Sequence, residues 1–74
     1  MSGPETASRA LEKLIGELES RMRAAAARFS LDAADVEEVI QDVRIRIWKA
    51  RGDRAGIEGA SAGYVYRTTL SAAL

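Results

Sequence analysis

EEVIQDVRIRIWKAR, residues 37–51, is the stretch that decides how this chain folds. Wound as an α-helix at about 100° per residue, it places Val39, Ile40, Val43, Ile47 and Ala50 within about 60° of the preceding Val36. That is a stripe for burial. On the same wheel Glu37, Gln41, Ile45, Trp48 and Glu38 spread from about 100° to about 200°, forming a second surface that carries two large apolar groups among polar ones. An aromatic anchor inside a polar rim is the composition of an interaction hot spot. The plainer alternative is that Trp48, near the helix end, folds back over a neighbouring helix as an edge of the core. It suits Trp48 better than Ile45, which lies opposite the stripe. The two residues together favour a partner.

Charge is sorted along the same helix. Residues 32–42 hold five carboxylates and no base, whereas residues 43–54 hold five bases and one acid, Asp53. Carboxylates at a helix start and cations at its end complement the helix dipole, which by itself can account for the segregation. Ser30 and Asp32 are possible caps for the start, and Gly52 is a stop signal. Upstream, SRALEKLIGELESRMRAAAARF repeats apolar residues at steps of three and four from Leu11 through Leu14, Ile15, Leu18, Met22 and Ala25 to Phe29. This spacing predicts a helix over residues 8–29 with Ser8 as its N-cap, and leaves residues 1–7 as a disordered tail. Downstream, GDRAGIEGASAG, residues 52–63, has four glycines and no helical apolar period. It reads as a loop with one short turn, of a length more often functional than idle. Ser61 is positioned to cap a last helix carrying Val65, Thr69, Ala72 and Ala73. That helix runs to the final residue without a stop signal, so the chain reads as part of a longer protein.

With 74 residues, 47% hydrophobic and 30% charged, the chain has globular composition and room for one domain, residues 8–74, near the lower limit for a self-sufficient core. Cysteine and histidine are both absent. Disulfides, thiolate chemistry, the usual zinc sets and the commonest general base go with them. Glu38 and Asp42 stand one helical turn apart, but solvated carboxylates without an activated nucleophile or metal set do not make an enzyme. No catalytic residue, metal or cofactor is expected. The amino terminus lacks a signal-peptide pattern and no apolar run is long enough to span a bilayer, so a cytoplasmic protein without membrane contact is expected. A formal net charge of zero argues against a generic nucleic-acid binder.

DAADVEEVIQDVRIRIWKAR, residues 32–51, resembles region two of bacterial sigma factors of the extracytoplasmic-function type. The matching positions are Asp35, Glu37, Glu38, Val39, Ile40, Gln41, Asp42, Ile45, Arg46, Ile47 and Trp48. A second match follows in order: YVYRTTLSAAL, residues 64–74, is similar to that family's aromatic–Leu–Tyr–Arg helix, with Tyr64, Val65, Tyr66 and Arg67 in register. The resemblance implies docking on the clamp coiled coil of RNA polymerase through Glu38, Gln41, Asp42, Ile45 and Trp48. That set largely overlaps the off-stripe face read from the wheel, and its carboxylates suit an Arg-rich partner. It also implies that the Gly-rich loop and last helix engage the non-template strand of the minus-ten promoter element through Tyr64, Tyr66, Arg67 and Ser71. Unstacked bases would lie on aromatic faces and one flipped base in a loop pocket. The bland reading of the tyrosines is that one packs in the core, Tyr66 before Tyr64. The chain departs from the family where Arg44 stands in place of a frequent Phe, Leu70 in place of a base and Ser71 in place of a frequent Asn. These departures, with the neutral net charge, keep a second reading open: a stand-alone regulatory module that binds an anti-sigma factor or polymerase without reading DNA. The expected fold is all-α, a small bundle of three helices, or four, sigma region-two-like: two antiparallel helices, then a loop and a last helix across them.

Overall fold

The computed structural model describes residues 4–29 and 32–74, and among these the ordered elements are all helices: α1 (Pro4–Ala27), α2 (Ala33–Arg51), α3 (Arg54–Glu58) and α4 (Ala62–Ala73). The first two are the expected antiparallel pair. Two ion pairs give their register: Arg23 pairs with Glu37 at 2.6 Å, and Arg44 with Glu12, so position rises along one helix as it falls along the other. The hydrogen bond to Glu37, aided by the nearby Glu19, pushes the Arg23 pKa up. Arg44, where the resembled family often has Phe, therefore serves as a cross-link between α1 and α2.

The core follows the stripes. Val36, Val39, Ile40, Val43 and Ile47 of α2 are all buried against Leu11, Ile15, Met22 and Ala26 of α1, with Val65 of α4 closing the cluster. Ala50, on the stripe by angle, is exposed, because it sits in the last turn of α2. No helix of the described residues is long and apolar enough to cross a membrane.

Three expectations are corrected. Helix α1 starts at Pro4, not at Ser8; Ala7 is buried in the core and Ser8 is an exposed position inside the helix. Of the expected tail, residues 4–7 are thus helical, and residues 1–3 lie outside the described residues. Proline is well suited to a first helical turn, where its missing N–H has no partner to lose. Phe29, expected at the end of the apolar stripe, is 38% exposed. The helix has already tightened into a turn there, with Arg28 and Phe29 donating to the carbonyls of Ala25 and Ala26, so the helical period no longer aims the ring inward. Residues 52–63 contain α3, whose Ile57 is completely buried, where a loop with one turn was expected.

Side-chain caps set the joins. Asp32 accepts from the Asp35 N–H at 2.9 Å, as expected, whereas the cap Ser30 lies outside the described residues. Asp53 accepts from Gly56 N–H at 2.7 Å and opens α3, and Ser61 accepts from Tyr64 N–H at 3.0 Å and opens α4. Gly52 ends α2 in the left-handed region with φ of 63°, its N–H donating to the Trp48 carbonyl. Space around Gly52 is open, so Gly52→Ala is opposed only by backbone conformation. A thermal melt of Gly52→Ala is expected to show a loss of about 1 kcal/mol, a fall of roughly 4–8 °C. Gly52→Asn, which tolerates this conformation better, should lose less; equal stability of all three would contradict the cap.

Candidate functional site

Helix α2 is amphipathic in two senses. With the core stripe turned inward, Glu38 and Gln41 are exposed, Ile45 is 52% exposed and Trp48 is 37% exposed, while Asp42 is half-buried. Ile45 is the most open large apolar side chain within the helical body. Trp48 keeps part of its ring against the protein, as the edge-of-core alternative required, and still presents the rest to solvent. The five residues thus occupy one continuous side of α2. Asp42 is held in place by Arg46, whose Nε donates to its Oδ2 at 3.0 Å. Glu38 and Asp42 also line a shallow groove floored by Val39 of α2 and Ala72 and Ala73 of α4. The acidic end of α2 and the far end of α4 therefore form one wall.

Helix α4 presents the other set. The assignment of the two tyrosines is the reverse of the one expected. Tyr64 packs against the core, with the Arg51 guanidinium 4.2 Å above its ring, whereas Tyr66 stands 36% exposed. The Tyr66 hydroxyl accepts from Arg28 Nη1 at 2.8 Å, so its ring is steadied from the end of α1. Arg67 is exposed, with no side-chain partner among the described residues. Its guanidinium reaches to 3.4 Å of where a Cβ on Gly63 would stand. Ser71 is exposed and accepts from Arg46 Nη1 at 3.3 Å. Arg67 and Ser71, one turn apart, share an exposed side of α4, while Tyr64 and Tyr66 flank the buried Val65 on opposite sides.

Beside Tyr66 a cavity of about 210 Å³ opens between α1 and α4, lined by Leu18, Met22, Val65, Gly63 and Arg21. It is almost wholly apolar, and smaller than the roughly 300–1,000 Å³ of pockets for drug-sized ligands. One planar ring fits it better than an extended cofactor. This cavity adjoins the end of the Gly-rich segment, at Gly63. A second, wider and more open depression of about 650 Å³ lies in the middle of that segment, lined by Arg51, Asp53, Gly56 and Tyr64, with Arg51 donating to the Gly56 carbonyl at 3.0 Å. A Cβ on Gly56 would meet the Arg51 carbonyl at 2.5 Å, so only glycine allows α3 to pack this close to α2.

Three arginines to which the sequence reading gave no contact thus organise the site: Arg28, Arg51 and Arg46, the last noted only as a motif position. Only the Arg46–Asp42 pair had a local signal, its spacing of four. The others act across 13 and 38 positions, to Tyr64 and Tyr66, which no periodicity encodes.

No curated protein and no solved structure matches the chain. The family model described as Sigma-70 region 2 matches residues 14–74. That span takes in most of α1 and all of α2, α3 and α4. It is not a family of enzymes, and its partners are core RNA polymerase and promoter DNA. With two helical motifs in order, the all-α fold that places them and a family match across nearly the whole bundle, the chain belongs to the sigma-70 region 2 family, the sigma-factor domain of polymerase binding and promoter melting.

Proposed function

We propose that this domain, of the extracytoplasmic-function type, docks on the clamp coiled coil of RNA polymerase through Glu38, Gln41, Asp42, Ile45 and Trp48 and engages the non-template strand of a minus-ten element through α4, working in the cytoplasm. The observation that carries the reading is the exposure of Ile45 and Trp48 on the side of α2 away from the core, rimmed by an amide and two carboxylates. Burial of such an anchor against a helical partner supplies affinity, and the carboxylates select an Arg-bearing one. On α4, Tyr66 and Arg67 offer a stacking face and a phosphate cation, and Tyr64, on the other flank of Val65, offers a second aromatic face beneath Arg51. The apolar cavity beside Tyr66 is the natural seat for one unstacked base. Ser71 adds a hydroxyl one turn beyond Arg67.

The test uses the 74-residue chain, a peptide reproducing the clamp coiled coil, and labelled single strands. The coiled coil should bind, and the complex should retain a strand carrying a minus-ten element better than a scrambled one. Each phosphate contact should steepen the dependence of log affinity on log salt by about 0.7. Equal retention of both strands would overturn the promoter assignment, and failure to bind the coiled coil would overturn docking. Tyr66→Ala is expected to weaken strand binding by about 1–3 kcal/mol, roughly 5- to 150-fold, without changing coiled-coil affinity.

The zero net charge and Leu70, half-buried where the family has a base, favour a second reading modestly. On that reading the same face of α2 binds polymerase or an anti-sigma factor and no DNA is read. Coiled-coil binding with no preference between the strands is its expected result.

A further inference from the structure

The outer side of α2 is opposite in sign at its two ends. Glu38, Gln41, Ile45 and then Trp48 with Lys49 follow one another at steps of three and four, the spacing of a seam along which one helix packs on another. Within about 40° of Ile45 on the wheel the charged residues are Glu38 and Lys49, one acid and one base, about 16 Å apart along the helix. Both are exposed, and neither side chain has a partner among the described residues. The charges around them are taken: Glu37 pairs with Arg23, Asp42 with Arg46 and Arg44 with Glu12. Ile45 and Trp48, both open to solvent, lie on the same seam.

We propose that a second copy of this chain packs on this seam, with the two α2 helices antiparallel about a two-fold axis beside Val43 and Arg44. Such an axis sets each Glu38 opposite the Lys49 of the other copy, so one surface supplies both halves of each ion pair. A parallel pair would set like charge against like. In the antiparallel pair the two Ile45 side chains meet across the axis within one helical turn of each other, and each Trp48 comes level with residues 38–41 of the other copy, beside the uncharged Gln41. A contact made by one helix from each copy is smaller than a standard interface, so the dimer has micromolar affinity or weaker. The seam is also the surface assigned to docking, and to that extent the proposal rests on the docking reading: a chain paired in this way has no free face for the coiled coil.

Sedimentation equilibrium from about 1 μM to about 1 mM reads the association of the wild-type chain, of Glu38→Lys, of Lys49→Glu, of these two variants mixed in equal amounts, and of the double variant. The wild type should pass from monomer to dimer over this range, and less readily as salt is raised. Each single variant sets like charges against each other twice and should weaken the dimer by about tenfold or more, while a circular-dichroism melt shows it folded. The mixture should recover wild-type association, because a chain with two bases on the seam then faces a chain with two acids. The double variant, with both charges exchanged, should recover it as well. A wild type that stays monomeric at about 1 mM overturns the proposal, and so does a mixture that associates no more tightly than either variant alone. Titration with the clamp coiled coil separates this result from the docking reading. Coiled coil should dissociate the dimer, and a complex that keeps two copies together would put the pairing on another face and overturn the proposal. A chain that dimerises by the charge-exchange pattern and ignores the coiled coil keeps the pairing and loses docking; one that binds the coiled coil and never dimerises loses the pairing alone.

Discussion

Trp48→Ala is expected to weaken binding to the polymerase clamp coiled coil by at least about 30-fold, the equivalent of 2 kcal/mol, while the chain stays helical. The indole is the largest side chain on the outer side of α2, and the neighbouring Ile45 extends the apolar area it begins. Because part of the ring rests on the protein, its removal also costs the fold something, about 1 kcal/mol or a fall of roughly 4–8 °C in melting temperature. Gln41→Ala separates the two effects. Gln41 is exposed and no core contact depends on it, so any loss of coiled-coil affinity there belongs to docking. A binding titration beside a circular-dichroism melt reads both quantities. Wild-type affinity in both variants would remove the docking assignment while leaving the fold untouched.

Ile57→Ala is expected to be the most destabilising small change in the chain. The side chain is fully buried, and α3 is only five residues long, too short to hold its position by its own hydrogen bonds. Truncating a buried isoleucine to alanine costs about 2–5 kcal/mol. A domain of this length has roughly 4–11 kcal/mol in total, so the loss is a large share of it. The melting temperature should fall by at least about 8 °C. Hydrogen exchange should show residues 54–58 opening first, because the side-chain hydrogen bond that ties α3 to α2 among the described residues comes from Arg51 and does not replace the lost apolar contact. Ile45→Ala, the same helix-side truncation at an exposed position, should leave the melt nearly unchanged and weaken docking instead. A wild-type melt for Ile57→Ala would mean that α3 does not cover the core in solution.

The stripe on α2 was legible because five branched residues repeat with the helical period, and all five are buried. Ile57 was not. One apolar residue among glycines has no period to belong to, and its burial depends on Arg51 and Gly56 letting α3 approach. The tyrosines failed differently. Val65 and Thr69 mark the inner side of α4, and Tyr64 and Tyr66 flank Val65 at about equal angles on either side. Periodicity cannot choose between them. The choice is made by the partners each meets, Arg51 for Tyr64 and Arg28 for Tyr66, which are distant in the chain. The start of α1 was misplaced because Ser8 is a strong capping type, while Pro4 and the small Ala7 carry a weaker but sufficient signal. Of the candidate site, the outer side of α2 could be drawn from the wheel. Its join to α4 through Arg46 and Ser71 could not, since those residues lie 25 positions apart.

The chain has one tryptophan, and it stands on the outer side of α2 and not in the core. Indole emission in this protein is therefore an intrinsic gauge of whether that side is covered. Burial against a partner should shift it to the blue, and unfolding should move it far less than in a domain whose indole is enclosed. The two tyrosines, both on α4, give a separate optical signal for the opposite end of the molecule's work. Occupancy of the two surfaces can thus be followed in one cuvette, without attaching a dye to either.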